Sequence, residues 1–183
     1  MIEKIRLAGI DVYLTRFTPE ESASGQIAAQ KSAVTRLLSE IAGAGHSLCH
    51  RNDGSPYIEG FNREISISHC KGYAAVGVGG SHRIGVDIET PRATLQRVTR
   101  KFLSEQEQTR FKGDDLLLTA WTMKEALYKA IGIPGIDFAN GVILPSEGSC
   151  HTEIGDTTYR LESATIGNAR ITTATPVTDD LIP

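Results

Sequence analysis

The chain has 183 residues, of which 40% are hydrophobic and 22% charged, so it is long enough to bury a core as one large domain or two small ones. Its formal charge is −3 at pH 7, and the lack of a global basic field disfavours general binding of DNA or RNA. No apolar run is long enough to span a membrane, and Asp11 interrupts the N-terminal apolar stretch, so no signal peptide is predicted.

The first half of the chain combines a helix with several strands. Thr18 and Glu21 are placed as the two members of a capping box, with Pro19 at the first helical position. Apolar residues then recur at steps of three and four, and Gly43 and Gly45 end this pattern. The elements predicted here are a strand over 5–14, a helix over about 24–41, a turn-rich stretch over 51–62, and a hairpin of 65–69 and 73–78.

The second half follows Gly79, Gly80 and Ser81, which are the best candidates for a turn between the halves. Its predicted elements are a strand over 83–89, a basic helix from about 95, a longer helix over about 115–131, and several strands from about 140, with the last few residues frayed. We therefore predict an α+β fold of two similar halves, 1–80 and 81–183, each a helix packed on a mostly antiparallel sheet.

Two carboxylates stand two residues apart on the predicted strand over 83–89. Residues two apart on a strand share a face, so Asp87 and Glu89 point away from the apolar Val86 and Ile88. Neighbouring carboxylates repel each other unless a cation lies between them, and Mg²⁺ binds carboxylate oxygens together with substrate phosphates. The alternative is the solvent-exposed face of an edge strand, which this spacing alone does not exclude.

A stripe on the predicted long helix carries a second set of functional groups. Trp121, Glu125 and Lys129 recur at four-residue steps and therefore lie on one face. The alternative is an ordinary surface pair of Glu125 and Lys129, worth only about 0.3–0.5 kcal/mol. The only tryptophan of the chain and the apolar flanks favour a partly buried face, on which a glutamate and a lysine are more often functional.

Weaker polar motifs precede the carboxylates. Ser66 and Ser68 share one face of a predicted strand, and Ser68 and His69 stand at its end, where a hydroxyl and an imidazole are able to contact a phosphate. The alternative is a histidine that caps a turn. The segment 54–56 is typical turn chemistry, and the glycines around residue 79 match neither known phosphate-loop pattern, so no nucleotide loop is predicted.

In their order and spacing, four motifs resemble those of the larger, pseudo-dimeric 4′-phosphopantetheinyl transferases, the class that activates surfactin synthetase. The motifs are Gly54-Ser55-Pro56, Ile65-Ser66-Ile67-Ser68-His69, Gly85-Val86-Asp87-Ile88-Glu89, and Trp121-Thr122-Met123-Lys124-Glu125 with Lys129. The smaller trimeric synthases carry the aspartate motif near the N-terminus, whereas here it follows a whole first half. The resemblance therefore implies a monomeric enzyme whose active site lies between two similar halves.

The family transfers the phosphopantetheine arm of coenzyme A to a serine of an acyl or peptidyl carrier protein and releases adenosine 3′,5′-bisphosphate. Carried over by position, the resemblance implies that Asp87, Glu89 and Glu125 hold Mg²⁺. It also implies that Lys129 neutralises the phosphate under attack. Glu125 would accept the serine proton, directly or through a metal-bound water.

For the first half, the resemblance implies contacts with coenzyme A. Ser68 and His69 would contact its phosphates. The family often has Gly-Lys-Pro where this chain has Gly-Ser-Pro, so one lysine contact is missing, and our hypothesis is that Arg51 replaces it. Lys31 and Arg36 are candidates for the N-terminal basic residues that some members use.

A basic segment predicts where an acidic carrier protein docks. The stretch 91–103 contains no acidic residue and four basic ones, the first of which is Arg92. The other three, Arg97, Arg100 and Lys101, fall on one helical face. We predict this face as the docking patch, with association that weakens as salt rises. The alternative is a basic helix that meets only solvent.

Two other functions stay open from the sequence. One is a Mg²⁺-dependent phosphohydrolase that acts on a nucleotide or on coenzyme A, with water in place of the serine. The other is a non-catalytic module that binds coenzyme A or the carrier. Cys49, Cys70 and Cys150 form no CxxC pair, so neither a zinc site nor a disulfide framework is predicted, and we expect a cytoplasmic protein with reduced thiols.

Overall fold

The computed structural model of the protein describes residues 1–178. In chain order its elements are β1 (Ile2–Leu7), β2 (Ile10–Arg16), α1 (Pro19–Ala23), α2 (Gln26–Ala42), β3 (Leu48–His50), β4 (Pro56–Ile58), β5 (Ile65–Cys70), β6 (Tyr73–Val78), β7 (Gly85–Glu89), α3 (Thr94–Phe102), α4 (Glu105–Arg110), α5 (Asp114–Ile131), β8 (His151–Ile154), β9 (Thr157–Ile166) and β10 (Ala169–Pro176). Within this part of the chain, no helix is both long and apolar enough to cross a membrane. The frayed end that the sequence predicts falls outside the described residues.

Four antiparallel strands form the first sheet, in the order β1-β2-β6-β5. The prediction of a single strand over 5–14 is wrong, because this segment contains parts of two antiparallel strands, β1 and β2. Ala8 and Gly9, which have positive φ angles, form the turn between them. The predicted hairpin is present as β5 and β6. The helix α2 covers one face of this sheet, where Leu37 and Val76 belong to the same core cluster.

The predicted capping box is present, but it starts a different helix. The Thr18 hydroxyl accepts from the Glu21 N–H at 3.2 Å, and the Glu21 carboxylate accepts from the Thr18 N–H at 2.8 Å. These bonds cap the short α1, because Gly25, with a φ of +90°, separates α1 from α2. A second capping box, between Ser104 and Glu107, starts α4, which the sequence-based prediction omitted.

The second sheet has the antiparallel order β7-β10-β9-β8, and α5 covers one of its faces. Leu127 of α5 packs there with Leu161 of β9. The opposite faces of the two sheets share a core, in which Ile10 of the first sheet joins Val86 and Ile171 of the second. The predicted α+β architecture of helices on antiparallel sheets is confirmed, whereas the boundary between residues 80 and 81 stays a prediction.

Serine hydroxyls join the two sheets at a seam between β5 and β7. Ser66 Oγ accepts from the Val86 N–H at 2.9 Å, and Ser68 Oγ accepts from the Ile88 N–H at 3.2 Å. Both serines are buried. Their hydroxyls accept from backbone N–H groups of β7 that would bond to a neighbouring strand in a continuous sheet. The seam therefore brings Ser68 next to the strand that carries the carboxylates.

Candidate active site

The glycine that precedes the carboxylate pair lets α5 lie directly on β7. A Cβ atom on Gly85 would stand 1.8 Å from the backbone oxygen of Ala126. Strand and helix therefore meet here with no side chain between them. This close approach carries Glu125 and Lys129 of α5 over Asp87 and the rest of the acidic face of the strand.

Asp87 is held by a lysine and a serine. Lys129 Nζ donates to Asp87 Oδ1 at 2.9 Å and to the backbone oxygen of Val86 at 2.9 Å. The Ser68 hydroxyl donates to the same Oδ1 at 2.8 Å. Asp87 is only 7% exposed, and these contacts offset the energetic cost of removing its carboxylate from water. Among the described residues Oδ2 has no hydrogen-bond partner, which leaves it available to a further ligand.

Glu89 is paired with an arginine that rests on the tryptophan. Arg92 Nη2 lies 3.3 Å from Glu89 Oε2, and the Thr90 N–H donates to Glu89 Oε1 at 3.2 Å. The Arg92 guanidinium lies 4.9 Å from the ring centroid of Trp121, a cation–π contact. Burial raises the pKa of Glu89, and the charge of Asp87 acts in the same direction, whereas Arg92 opposes both.

Glu125 is the least restrained carboxylate of the group. Burial raises the pKa of Glu125, and the charge of Asp87 raises it further, whereas Lys129 and Arg92 act in the opposite direction. Among residues 1–178 its carboxylate has no hydrogen-bond partner. A carboxyl group whose pKa is moved up towards neutrality is suited to accept a proton from a substrate hydroxyl.

The predicted magnesium ligands are neighbours, but they do not converge on one point. In the described part of the chain, no three His, Cys, Asp or Glu side chains are placed to hold a single metal ion. Asp87 contacts Lys129, and Glu89 contacts Arg92. The donors fit Mg²⁺ in their chemistry, since all are carboxylate oxygens in a partly buried site. Arg92 would compete with an ion for Glu89 Oε2, the oxygen that it contacts.

A cleft of about 270 Å³ lies beside Lys129. The first half contributes the loop 53–56 and part of β5, and the second half contributes Arg83 and the end of α5. Arg83 connects the two sides, because its guanidinium lies 2.6 Å from the Asp53 carboxylate and donates to the Gly132 backbone oxygen at 3.3 Å. Sequence reasoning missed Arg83, since a single arginine before a strand belongs to no motif.

A second groove, of about 560 Å³, adjoins the first across the loop 54–56. His69, His50 and Lys31 line it. Because adjacent residues on a strand point to opposite faces, Ser68 lies in the seam while His69 faces this groove. The structure therefore separates the two residues that the sequence predicted to act together.

The remaining basic candidates of the first half are already paired. Arg51 Nη2 lies 2.6 Å from Glu64 Oε1, and its guanidinium lies 5.3 Å from the ring centroid of Tyr57. Arg36 lies 2.9 Å from the Glu21 carboxylate. Arg51 thus supports the loop between the two cavities, and Arg36 ties α2 to the start of α1.

The predicted docking patch lies on the surface next to this site. Arg97, Arg100 and Lys101 are exposed on α3. The helix packs on α5 through Phe102, whose ring meets Trp121 edge-on with centroids 5.1 Å apart. The patch and Glu125 therefore belong to neighbouring helices.

A buried ion pair fixes the other side of α5. Lys124 Nζ lies 2.8 Å from Glu107 Oε2, with the side chains 0% and 3% exposed. Lys124 also donates to the backbone oxygens of Ala139 and Val142. Burial lowers the pKa of Lys124, and Glu107 opposes this shift. Lys124 is adjacent to Glu125 in sequence, but it holds the loop 139–142 onto the helix and does not face the carboxylates.

Three acidic side chains next to a lysine that lines a cleft are typical of enzymes that act on phosphate-bearing substrates. The family model described as the 4′-phosphopantetheinyl transferase superfamily matches residues 83–174, just over half of the chain. The chain belongs to this superfamily, and phosphopantetheinyl transfer is its activity in general terms. The matched stretch includes Asp87, Glu89, Glu125 and Lys129. No curated protein matches the chain.

Proposed function

We propose that the protein transfers the 4′-phosphopantetheine arm of coenzyme A to a serine hydroxyl of an apo acyl or peptidyl carrier protein and releases adenosine 3′,5′-bisphosphate. The observation that carries this proposal is the contact of Lys129 with Asp87, beside a Glu125 whose pKa is raised by burial. A cation for phosphate charge and a base for a hydroxyl are what phosphoryl transfer to an alcohol requires.

In the proposed reaction the serine oxygen attacks the phosphorus that bears the pantetheine arm. The bond from this phosphorus to the oxygen of the nucleotide phosphate breaks, and the bisphosphate leaves with the electron pair. Glu125 accepts the serine proton, directly or through a water, which typically contributes ~10²–10⁴-fold to the rate. Lys129 donates from Nζ to the phosphate under attack and offsets its charge.

Dependence on Mg²⁺ is part of the proposal. Asp87, Glu89 and Glu125 would hold the ion, and when bound it would supply positive charge to the pyrophosphate. Asp87 is suited to this role because both of its present contacts use Oδ1, so Oδ2 is available. Burial is the main cause of the raised pKa of Glu125 and the charge of Asp87 adds to it, and a cation among these groups would offset both effects.

The two cavities suggest how coenzyme A is divided along the surface. The cleft of about 270 Å³ beside Lys129 is too small for the whole molecule, so we assign the reacting phosphates to it. We assign the nucleotide end to the second groove, near His69 and Lys31. Arg51 is able to join only if it leaves Glu64. Ser68 supports the site through Asp87 rather than by a contact with coenzyme A.

We also propose that the protein is of the larger pseudo-dimeric type and acts as a monomer in the cytoplasm. One chain lines both sides of the cleft, with Ser55 and Ser66 from the first half and Arg83 and Lys129 from the second. A second copy is therefore not needed to complete the site.

The basic face of α3 is the proposed docking site for the carrier. Charge reversal by Arg97→Glu with Arg100→Glu is expected to raise the KM for the carrier about tenfold at low salt and to leave the KM for coenzyme A unchanged. Lys112→Glu is the charge-reversal control, because Lys112 is exposed outside α3 and pairs with no carboxylate among residues 1–178. An unchanged carrier KM in the α3 variant would refute this docking site.

The direct test is the intact mass of an apo acyl carrier protein after incubation with the protein, coenzyme A and Mg²⁺. We expect a gain of one phosphopantetheine group, which EDTA and Glu125→Ala both abolish. Release of adenosine bisphosphate without modification of any carrier would instead indicate the phosphohydrolase. Tight binding of coenzyme A without turnover would indicate the non-catalytic module, and either result would refute the proposed transfer.

A further inference from the structure

Arg92 touches the proposed metal site from the solvent side. Its side chain is 42% exposed, and its single carboxylate contact within residues 1–178 is the 3.3 Å contact with Glu89, which is itself 17% exposed. The guanidinium also makes a cation–π contact with Trp121, at 4.9 Å from the ring centroid. Phe102 and Phe138 hold that ring, with centroid distances of 5.1 Å and 6.0 Å. The aromatic surface therefore exists independently of Glu89.

The two cations of the site are held in different ways. Lys129 is anchored twice, at 2.9 Å to Asp87 and at 2.9 Å to the Val86 backbone oxygen, and is 28% exposed. Arg92 is more exposed, and its contact with Glu89 is longer. A partly exposed ion pair of this kind is weak and is easily exchanged. Arg92 is able to leave Glu89 without losing its contact with Trp121.

We infer that Arg92 is an exchangeable counter-ion of Glu89 that competes with a divalent cation for this carboxylate and so keeps the affinity of the site for the ion low. This inference rests on the proposed metal-binding role of Asp87, Glu89 and Glu125. Glu89 would serve as a ligand of the bound cation, and Arg92 would keep its contact with Trp121. Because Mg²⁺ readily takes ligands from substrate phosphates, the ion is then held well only together with coenzyme A. Arg92 is thus a positioning residue rather than a catalytic one.

The inference predicts tighter metal binding when Arg92 loses its charge. An exposed ion pair and one nearby positive charge each change an affinity by a few fold. We therefore expect Arg92→Gln to bind Mn²⁺ about three- to tenfold more tightly than the unmodified protein, in the absence of coenzyme A. The measurement is a titration of free Mn²⁺ by electron paramagnetic resonance. Arg97→Gln, with the same charge change on α3, which begins after Arg92, is expected to leave the Mn²⁺ affinity unchanged.

Further variants assign the bound ion to this site. Asp87→Asn is expected to abolish Mn²⁺ binding both alone and in combination with Arg92→Gln. Arg92→Lys, which keeps the charge, is expected to bind Mn²⁺ more weakly than Arg92→Gln. Circular dichroism checks that each variant is folded.

Two results would overturn the inference. One is an Arg92→Gln affinity for Mn²⁺ that is equal to or weaker than that of the unmodified protein. The other is a lack of Mn²⁺ binding in both proteins at concentrations that saturate carrier modification. Neither result decides the transferase reaction, which the mass of the carrier protein reports separately. Conversely, tighter binding in Arg92→Gln supports the inference even if no carrier is modified.

Discussion

Gly85→Ala tests whether the direct packing of α5 on β7 builds the site. The added Cβ would lie 1.8 Å from the Ala126 backbone oxygen, whereas ordinary contacts are 3.4–4 Å. The obstacle is helix backbone and not the end of a flexible side chain, so strand and helix must separate by about 1.5–2 Å. Such overpacking costs about 1–3 kcal/mol. For a chain of this size each kcal/mol lowers Tm by about 2–4 °C.

The same separation moves Glu125 and Lys129 away from Asp87. A misplacement of about 1 Å is able to reduce turnover by about 10²-fold. The assay combines Tm with the initial rate of carrier modification, at a temperature where both proteins are folded. Gly80→Ala is the matched control, because no neighbouring atom of the described residues lies within 4 Å of its added Cβ, and neither quantity is expected to change. Gly85→Ala with an unaltered Tm and rate would refute the reasoning.

Three further substitutions test the contacts around the site. Ser68→Ala removes the donor to Asp87 and leaves the buried Ile88 N–H unpaired. The free energy of unfolding, measured in urea, is therefore expected to fall by about 1–3 kcal/mol, and kcat is expected to fall with it. An unchanged kcat would show that the Ser68 hydroxyl is not needed for catalysis. Glu107→Gln leaves the buried charge of Lys124 unpaired, so the free energy of unfolding is expected to fall by about 3–5 kcal/mol in the same urea titration. A decrease of less than about 3 kcal/mol would contradict this reasoning. The folded-state pKa of Glu125 is raised, so the stability linked to its protonation is complete below the ordinary value of 4.5 and is lost as pH rises through the raised value. Glu125→Gln without metal is therefore expected to have a higher Tm than the unmodified protein at pH 7 and a similar Tm at pH 4, and a lower Tm at pH 7 would contradict the shift.

The chemical groups of the site were predictable because their signals are local. Alternation along a strand assigns Asp87 and Glu89 to one face, and the four-residue step of a helix assigns Glu125 and Lys129 to another. The order of the four motifs, through its resemblance to the family, then predicts that these two faces meet. In the structure Lys129 contacts Asp87, and the charges of both act on Glu125. The alternative of a fully solvent-exposed strand face does not hold for Asp87, which is 7% exposed.

The supporting contacts were not predictable, because each depends on a partner far away in sequence. Gly85 is essential only once α5 lies on it, and the strand pattern gives no sign of that helix. Ser68 was predicted to contact a phosphate, because nothing in the sequence of β5 indicates that the edge of β7 lies beside it and that the Ile88 N–H donates to its hydroxyl. Arg92 was grouped with the basic segment, since its contact with Trp121 joins residues on different elements. The start of α4 is different, because Ser104 and Glu107 carry a local capping signal that could have been used.

The seam bears on the proposed monomer, because it covers an edge of β7. The edge of β7 presents the N–H groups of Val86 and Ile88, and an uncovered edge of this kind is a template for pairing with another chain. Ser66 and Ser68 cover that edge with hydroxyls, and the second of them also donates to Asp87. The stretch matched by the family model, 83–174, contains the carboxylates and the lysine but not these serines. The Ser68 hydroxyl therefore has two roles, because it accepts from the Ile88 N–H at the edge of β7 and donates to Asp87, the carboxylate that Lys129 contacts.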